Sequence, residues 1–134
     1  MIKYNMTISG VTKKVMTYCE FITKYVLPEV RALIVKKLRS KYNMTQEQIA
    51  RTLGITQAAV SYYISAKRGY KLKEFRDLPE VNKLIDEVVE QITRNEFNVE
   101  AYADAICDMC QKIRERKLIL PLIEKFGKKV IIKE

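Results

Sequence analysis

The sequence predicts an all-α fold organised around a helix-turn-helix, and three observations predict it. Residues Thr45–Arg68, TQEQIARTLGITQAAVSYYISAKR, give two short helical stretches, each opened by a threonine and separated by Gly54. Apolar residues recur at helical spacing on both sides of that stretch. The charge is segregated: residues 1–74 hold 14 Lys or Arg and 4 Asp or Glu, a net +10, whereas residues 75–134 hold 11 and 12, a net −1. The basic half is the half with the motif. A field of that sign steers toward polyanions.

Residues 1–10 alternate weakly through Ile2, Tyr4, Met6 and Ile8 and are expected to form a short strand or an arm. From Thr12, the spacing of Val15, Tyr18, Cys19, Ile22 and Val26 predicts an amphipathic helix with Cys19 on its apolar face. Pro28 breaks or restarts it. Proline is well tolerated at a first helical position, so Pro28–Tyr42 is expected to be a separate helix, with Val30, Leu33, Ile34 and Leu38 inward.

In the motif, Thr45 is placed to cap the first helix and Thr56 the second. Ile49, Ala50 and Leu53 form the inner face of the first; Val60, Tyr63 and Ile64 that of the second. Gly54 stands where the chain must turn, and glycine enters the left-handed region without a Cβ clash. Ile55 plugs the corner, and Ala50 and Ala59 are small enough for two helices to cross closely.

The outward face of the second helix shows Gln57, Ala58, Ser61, Tyr62 and Ser65, with none of the charged residues that usually solubilise a surface. Gln57 is suited to bond adenine N6 and N7, Ala58 to touch a thymine methyl, and Ser61 to bond base edges. Tyr62 suits phosphate or sugar. Gln46, at the start of the first helix, suits backbone phosphate together with that helix's N–H groups. With Thr56 at the helix start and Lys67 and Arg68 after its end, these residues make the candidate DNA-contact set.

After Gly69, Tyr70–Leu78 reads as a polar connector rich in Lys71, Lys73 and Arg76. Pro79 starts the clearest amphipathic helix, with Val81, Leu84, Ile85, Val88, Val89 and Ile92 as its stripe. Asn98 caps another, with Val99, Tyr102, Ala103, Ile106, Cys110 and Ile113 inside. Residues 77–108 carry nine acidic and two basic side chains, so this part is expected to face away from DNA and to hold a dimer. Leu118–Leu122 is apolar around Pro121, and Lys128–Lys133 reads as a short strand that pairs with residues 2–8 of the same or another subunit. The expected division is an N-terminal strand or arm with its flanking helix over 1–27, the helix-turn-helix over 28–70, and a helical dimerisation or effector region over 71–134.

The composition removes much chemistry. With three cysteines and no histidine, no His-based general base, Ser-His-Asp or Cys-His pair is available within one chain. None of Gly10, Gly54, Gly69 and Gly127 is spaced as a phosphate-cradling loop. The chain is expected not to be an enzyme. It has no run of about 18 apolar residues and no signal-peptide pattern, so it is expected to be cytoplasmic, without a membrane partner.

Cys107 and Cys110 form a CxxC on a helix, and Cys19 lies 88 residues earlier. Free cysteines are commonly buried core residues. The sharper reading brings all three together as thiolate ligands of an iron–sulfur cluster. A redox disulfide, or a thiolate metal site completed by another subunit, is the third possibility.

The Thr45–Arg68 segment resembles the DNA-binding domain of lambda-repressor and Cro-like (XRE-type) regulators. The wider chain is similar to an archaeal group of them through YCEF, VLPEVRALIVKKL, AKRG and ICDMCQKIRE, which covers roughly residues 18 to 118. That resemblance implies a lambda-repressor-like domain with a C-terminal helical dimerisation unit. It also implies a pairing of Cys19-Glu20 with Cys107 and Cys110 at an iron–sulfur or redox-sensing site. The group often carries one more cysteine where this chain has Leu120, so a three-thiolate cluster or a non-cysteine fourth ligand is implied here.

Two functions fit. One is a homodimeric, sequence-specific transcription regulator on double-stranded DNA, switched at its cysteines by a cluster or by redox state. The other is a non-sequence-specific bridging or architectural factor of the transcription machinery. A CxxC thiol–disulfide oxidoreductase fits poorly, because Cys107 falls mid-helix rather than at a helix N-terminus.

Overall fold

The computed structural model describes residues 7–8, 11–12, 15–65, 72–123 and 129–131. Their order is β1 (Thr7–Ile8), β2 (Val11–Thr12), β3 (Val15–Thr17), α1 (Tyr18–Phe21), a π-helical segment (Ile22–Val26), α2 (Leu27–Tyr42), α3 (Gln46–Leu53), α4 (Gln57–Ser65), α5 (Lys73–Asp77), α6 (Pro79–Arg94), α7 (Val99–Glu115), α8 (Leu120–Ile123) and β4 (Lys129–Ile131). The all-α expectation holds: helices supply the body of the fold and the strands are short pairs near the chain ends.

The N-terminal helix starts later than its apolar spacing suggested. Val15–Thr17 is a strand, and Thr17 caps α1 by accepting a 3.2 Å bond from the Glu20 amide. Its hydroxyl donates in turn to the Glu20 carboxylate at 3.0 Å. This Thr-x-x-Glu pattern is a helix-start signal that overrides a periodicity begun at Val15. Cys19 is exposed on α1, not on an apolar face.

Nor does Pro28 separate two helices. The path from Tyr18 to Tyr42 stays helical, and the irregularity lies just before the proline, where the Leu27 amide reaches back five residues to the Ile22 carbonyl. A proline lacks an N–H and crowds the carbonyl four residues earlier. A π turn widens the ladder at that place and keeps the helix going.

The strand pairings also differ from expectation. β4 runs parallel to β3, with Val15 opposite Lys129 and Thr17 opposite Ile131, while β1 pairs with β2. Within residues 1–10, Thr7 and Ile8 are in strand; the remainder of that stretch lies outside the described residues.

Residues read as a polar connector contain α5. Its Phe75 is fully buried, and Arg76 forms a 3.4 Å ion pair with Glu29, which is itself buried. One apolar residue in a five-residue polar helix gives periodicity nothing to detect.

The stripe on α6 is buried as expected, from Val81 to Ile92. α7 is rotated relative to its expected face: Tyr102, Ala105, Met109 and Ile113 are buried, Ile106 and Cys110 sit at the edge, and Val99 and Ala103 are exposed. α6 packs on α7, α2 on α4 and α6, and α3 on α7. A continuous apolar cluster runs through them from Met16 to Leu122. Lys37–Asp86 joins α2 to α6, and Lys112–Glu87, at 3.2 Å, joins α7 to α6. The helix-turn-helix therefore rests on the acidic C-terminal helices.

Candidate nucleic-acid interface

Two capped helix starts build the surface. Thr45 accepts a 3.1 Å bond from the Gln48 amide, and the Gln48 side chain accepts the Thr45 amide at 2.8 Å, a complete capping box. Thr56 caps α4 with a single bond, accepting the Ala59 amide at 3.0 Å. Between them Gly54 ends α3 with φ +67° and donates to the Ala50 carbonyl. A Cβ at Gly54 would stand 2.9 Å from Cγ2 of Val99, so the turn is seated against the first residue of α7. Glycine is favoured there on both conformation and space.

Ile49, Ala50, Leu53 and Val60 are buried and Tyr63 and Ile64 half-buried, which fixes the opposite face of α4 toward solvent. Thr56, Gln57, Ala58, Ser61, Tyr62 and Ser65 are all exposed, and Gln46 is half-exposed. Tyr62 is 66% exposed, its ring edge-on to Tyr63 with centroids 5.7 Å apart. The Ser65 hydroxyl donates to the Ser61 carbonyl at 2.9 Å, so its proton is already committed within the helix. Lys67 and Arg68 lie outside the described residues.

The two glutamines border one groove. That groove, of ≈ 500 Å³, is bordered by Gln46 from α3, Gln57 from α4, Thr45, Asn43 and Arg39. Arg39, exposed on the last turns of α2, is a residue the spacing did not single out. Its place beside the two helix starts is a tertiary fact. Glu47 also borders the groove and lies 3.5 Å from Arg51. The groove brings amides, the Arg39 cation and two helix N-termini together, with the Glu47 carboxylate paired to Arg51, and this set suits an anionic backbone flanked by base edges.

Residues 35–81 match the helix-turn-helix family model. The matched span takes in the second half of α2, the whole of α3, α4 and α5, and the start of α6. Neither a curated protein nor a solved structure matches the chain. The helix-turn-helix span contains both glutamines, Arg39 and every described candidate contact.

Cys19 and Cys107 are exposed and Cys110 is half-buried, all as free thiols. Burial pushes the Cys110 thiol up, and Cys107 and Cys19 push it the same way, against Arg31. Among the described residues, however, no three His, Cys, Asp or Glu side chains are grouped closely enough to hold a metal ion. The buried Tyr18 hydroxyl is pushed up to about 12, first by burial and then by Cys110, with Arg114 opposing. The Arg114 guanidinium lies 4.8 Å over the Tyr18 ring.

Proposed function

We propose that this protein is a sequence-specific transcription regulator that binds double-stranded DNA as a homodimer. The single observation that carries the reading is the shared groove of Gln46 and Gln57 beneath an exposed, uncharged face of α4. On that reading the N-terminal part of α4 enters the major groove. Gln57 bonds an adenine edge, Ala58 contacts a thymine methyl and Ser61 bonds a neighbouring base. Gln46, Arg39, Lys67 and Arg68 hold phosphates, which fixes register without specifying sequence. The acidic region 77–108 faces away from the duplex and supplies the surface between two copies. Two recognition helices then read half-sites about 34 Å apart.

Selection from a random duplex pool, with sedimentation of the protein–DNA complex, tests this reading. It expects one enriched palindromic site and two chains per duplex. The basic half of the chain also suits a bridging factor that binds any sequence, for which no site would be enriched.

For the cysteines we propose a sensing role, through an iron–sulfur cluster or through thiol oxidation. Iron and sulfide assays on anaerobically purified protein separate the two. Stoichiometric iron and sulfide support the cluster; their absence, with reversible loss of free thiols in air, supports oxidation. Neither result together with unchanged DNA affinity ends the sensing role.

A further inference from the structure

Two helices that end without a glycine meet at one groove. α2 closes at Asn43, φ 52°, and asparagine enters the left-handed region more readily than most residues with a Cβ. α6 closes through Glu96 and Phe97, φ 60° and 58°, a conformation that a bulky side chain adopts at a cost. The Phe97 amide donates to the Ile92 carbonyl at 2.9 Å. The Phe97 ring lies edge-on to Tyr42, with centroids 6.3 Å apart and planes at 75°. Both rings are half-buried.

Tyr42 and Phe97 border a groove of ≈ 500 Å³ together with Met44, Gln48, Arg51 and Glu96. The two rings and the buried Met44 supply its apolar surface. α3 supplies donors. The Gln48 carbonyl oxygen accepts the Thr45 amide, so the N–H₂ end of that side chain is what it has to offer. Arg51 is exposed and holds Glu47 at 3.5 Å. An exposed pair of this kind contributes little, so an incoming carboxylate can compete for the guanidinium and bind it through two parallel bonds. Lys41 adds positive charge beside the groove, its ammonium 5.7 Å from the centroid of the Tyr42 ring. Glu96 is the one carboxylate among the described residues that border the groove. Two rings with a cationic excess suit a flat aromatic group that carries a carboxylate.

This groove adjoins the one that holds Gln46 and Gln57. Asn43 and Met44 border both, and Glu47, which borders the second, is the partner of Arg51 in the first.

We propose that the Tyr42–Phe97 groove is an effector site for a small aromatic carboxylate, and that filling it weakens DNA binding. The ring of the ligand packs on Tyr42 and Phe97, and its carboxylate takes the Arg51 guanidinium from Glu47. Glu47 then stands uncompensated at the edge of a groove that suits phosphate, and its charge opposes the duplex. The effect on DNA rests on the proposed function above; the binding of the ligand does not.

The test titrates the full chain with indole-3-acetate, indole-3-ethanol and tryptamine, which share one ring and end in a carboxylate, a hydroxyl and an ammonium. Backbone amides of residues 42–52 and 96–98 are followed by NMR without DNA. Saturable shifts are expected, with the acid roughly fivefold tighter than the alcohol and the amine weakest. Arg51→Gln is expected to bring the acid down to the level of the alcohol, and Phe97→Leu to weaken all three alike. Glu47→Gln frees the guanidinium and is expected to tighten the acid about twofold. The second readout is affinity for the duplex selected by the wild-type protein. Saturating acid is expected to weaken it about two- to fivefold in the wild-type protein and by less in Glu47→Gln.

No saturable shift with the acid, tighter binding of the amine, or an acid affinity unmoved by Arg51→Gln overturns the site. Equal DNA affinity with and without bound acid overturns its effector role, and an equal loss in Glu47→Gln overturns the part given to Glu47. If the wild-type protein prefers no duplex, the proposed function fails, and the order of the three probes still decides the site.

Discussion

At Gly54 two constraints coincide. The residue has φ +67°, and the space a Cβ would need is taken by Val99. Gly54→Ala is expected to destabilise the fold by about 1–3 kcal/mol in denaturant unfolding. Adding Val99→Ala should recover the steric part and leave the backbone part. If Val99→Ala recovers nothing, the turn is not seated on α7. Arg39 answers a different question. Arg39→Ala is expected to weaken every duplex alike and to lower the salt slope by about one; a selective loss at one base position would make it a base-reading residue. The glycine was legible in the sequence because its demand is local. Arg39 was not, since only the fold brings the end of α2 beside Gln46 and Gln57. The cysteines fall between: their spacing suggested convergence, but the exposure of Cys19 was hidden by a helix start placed too early.

Among elements, those stated by short-range chemistry were read most faithfully. α3 and α4 have caps at both starts and a glycine between them, and α6 has six apolar residues at unbroken helical spacing. α5 had neither signal. Its anchor is one phenylalanine, so Phe75→Ala is expected to cost about 3–5 kcal/mol of stability, far more than the exposed Lys73–Asp77 pair on the same helix. Urea unfolding of Phe75→Ala and Asp77→Asn compares the two; equal losses would mean α5 is not docked through its ring. α7 was found but turned. Ile106 and Cys110 were placed inside, whereas the core selects Ala105 and Met109, because the close approach of α6 favours a small residue and a flexible one at that crossing. The helix from Tyr18 to Tyr42 shows the converse: Pro28 looked like a break, and a π turn absorbs it.

Across the whole molecule, charge and packing point the same way. The motif sits in the basic half, and the acidic α6 and α7 form the support behind it, tied to α2 by Lys37–Asp86. On the proposed orientation the exposed face of α7 is remote from the duplex, and Asp104→Lys is expected to change DNA affinity by less than about twofold. A large gain would mean that Asp104 lies within about a Debye length of phosphate, roughly 10 Å at 0.1 M salt, and that the proposed orientation is wrong. The central claim is that α4 reads bases through Gln57. Binding of the wild-type protein and of Gln57→Ala to the selected duplex and to each of its single-base-pair variants tests that claim most directly. The account predicts that Gln57→Ala loses about 1–3 kcal/mol of discrimination at one position per half-site and keeps the rest. An equal loss on every duplex would contradict it.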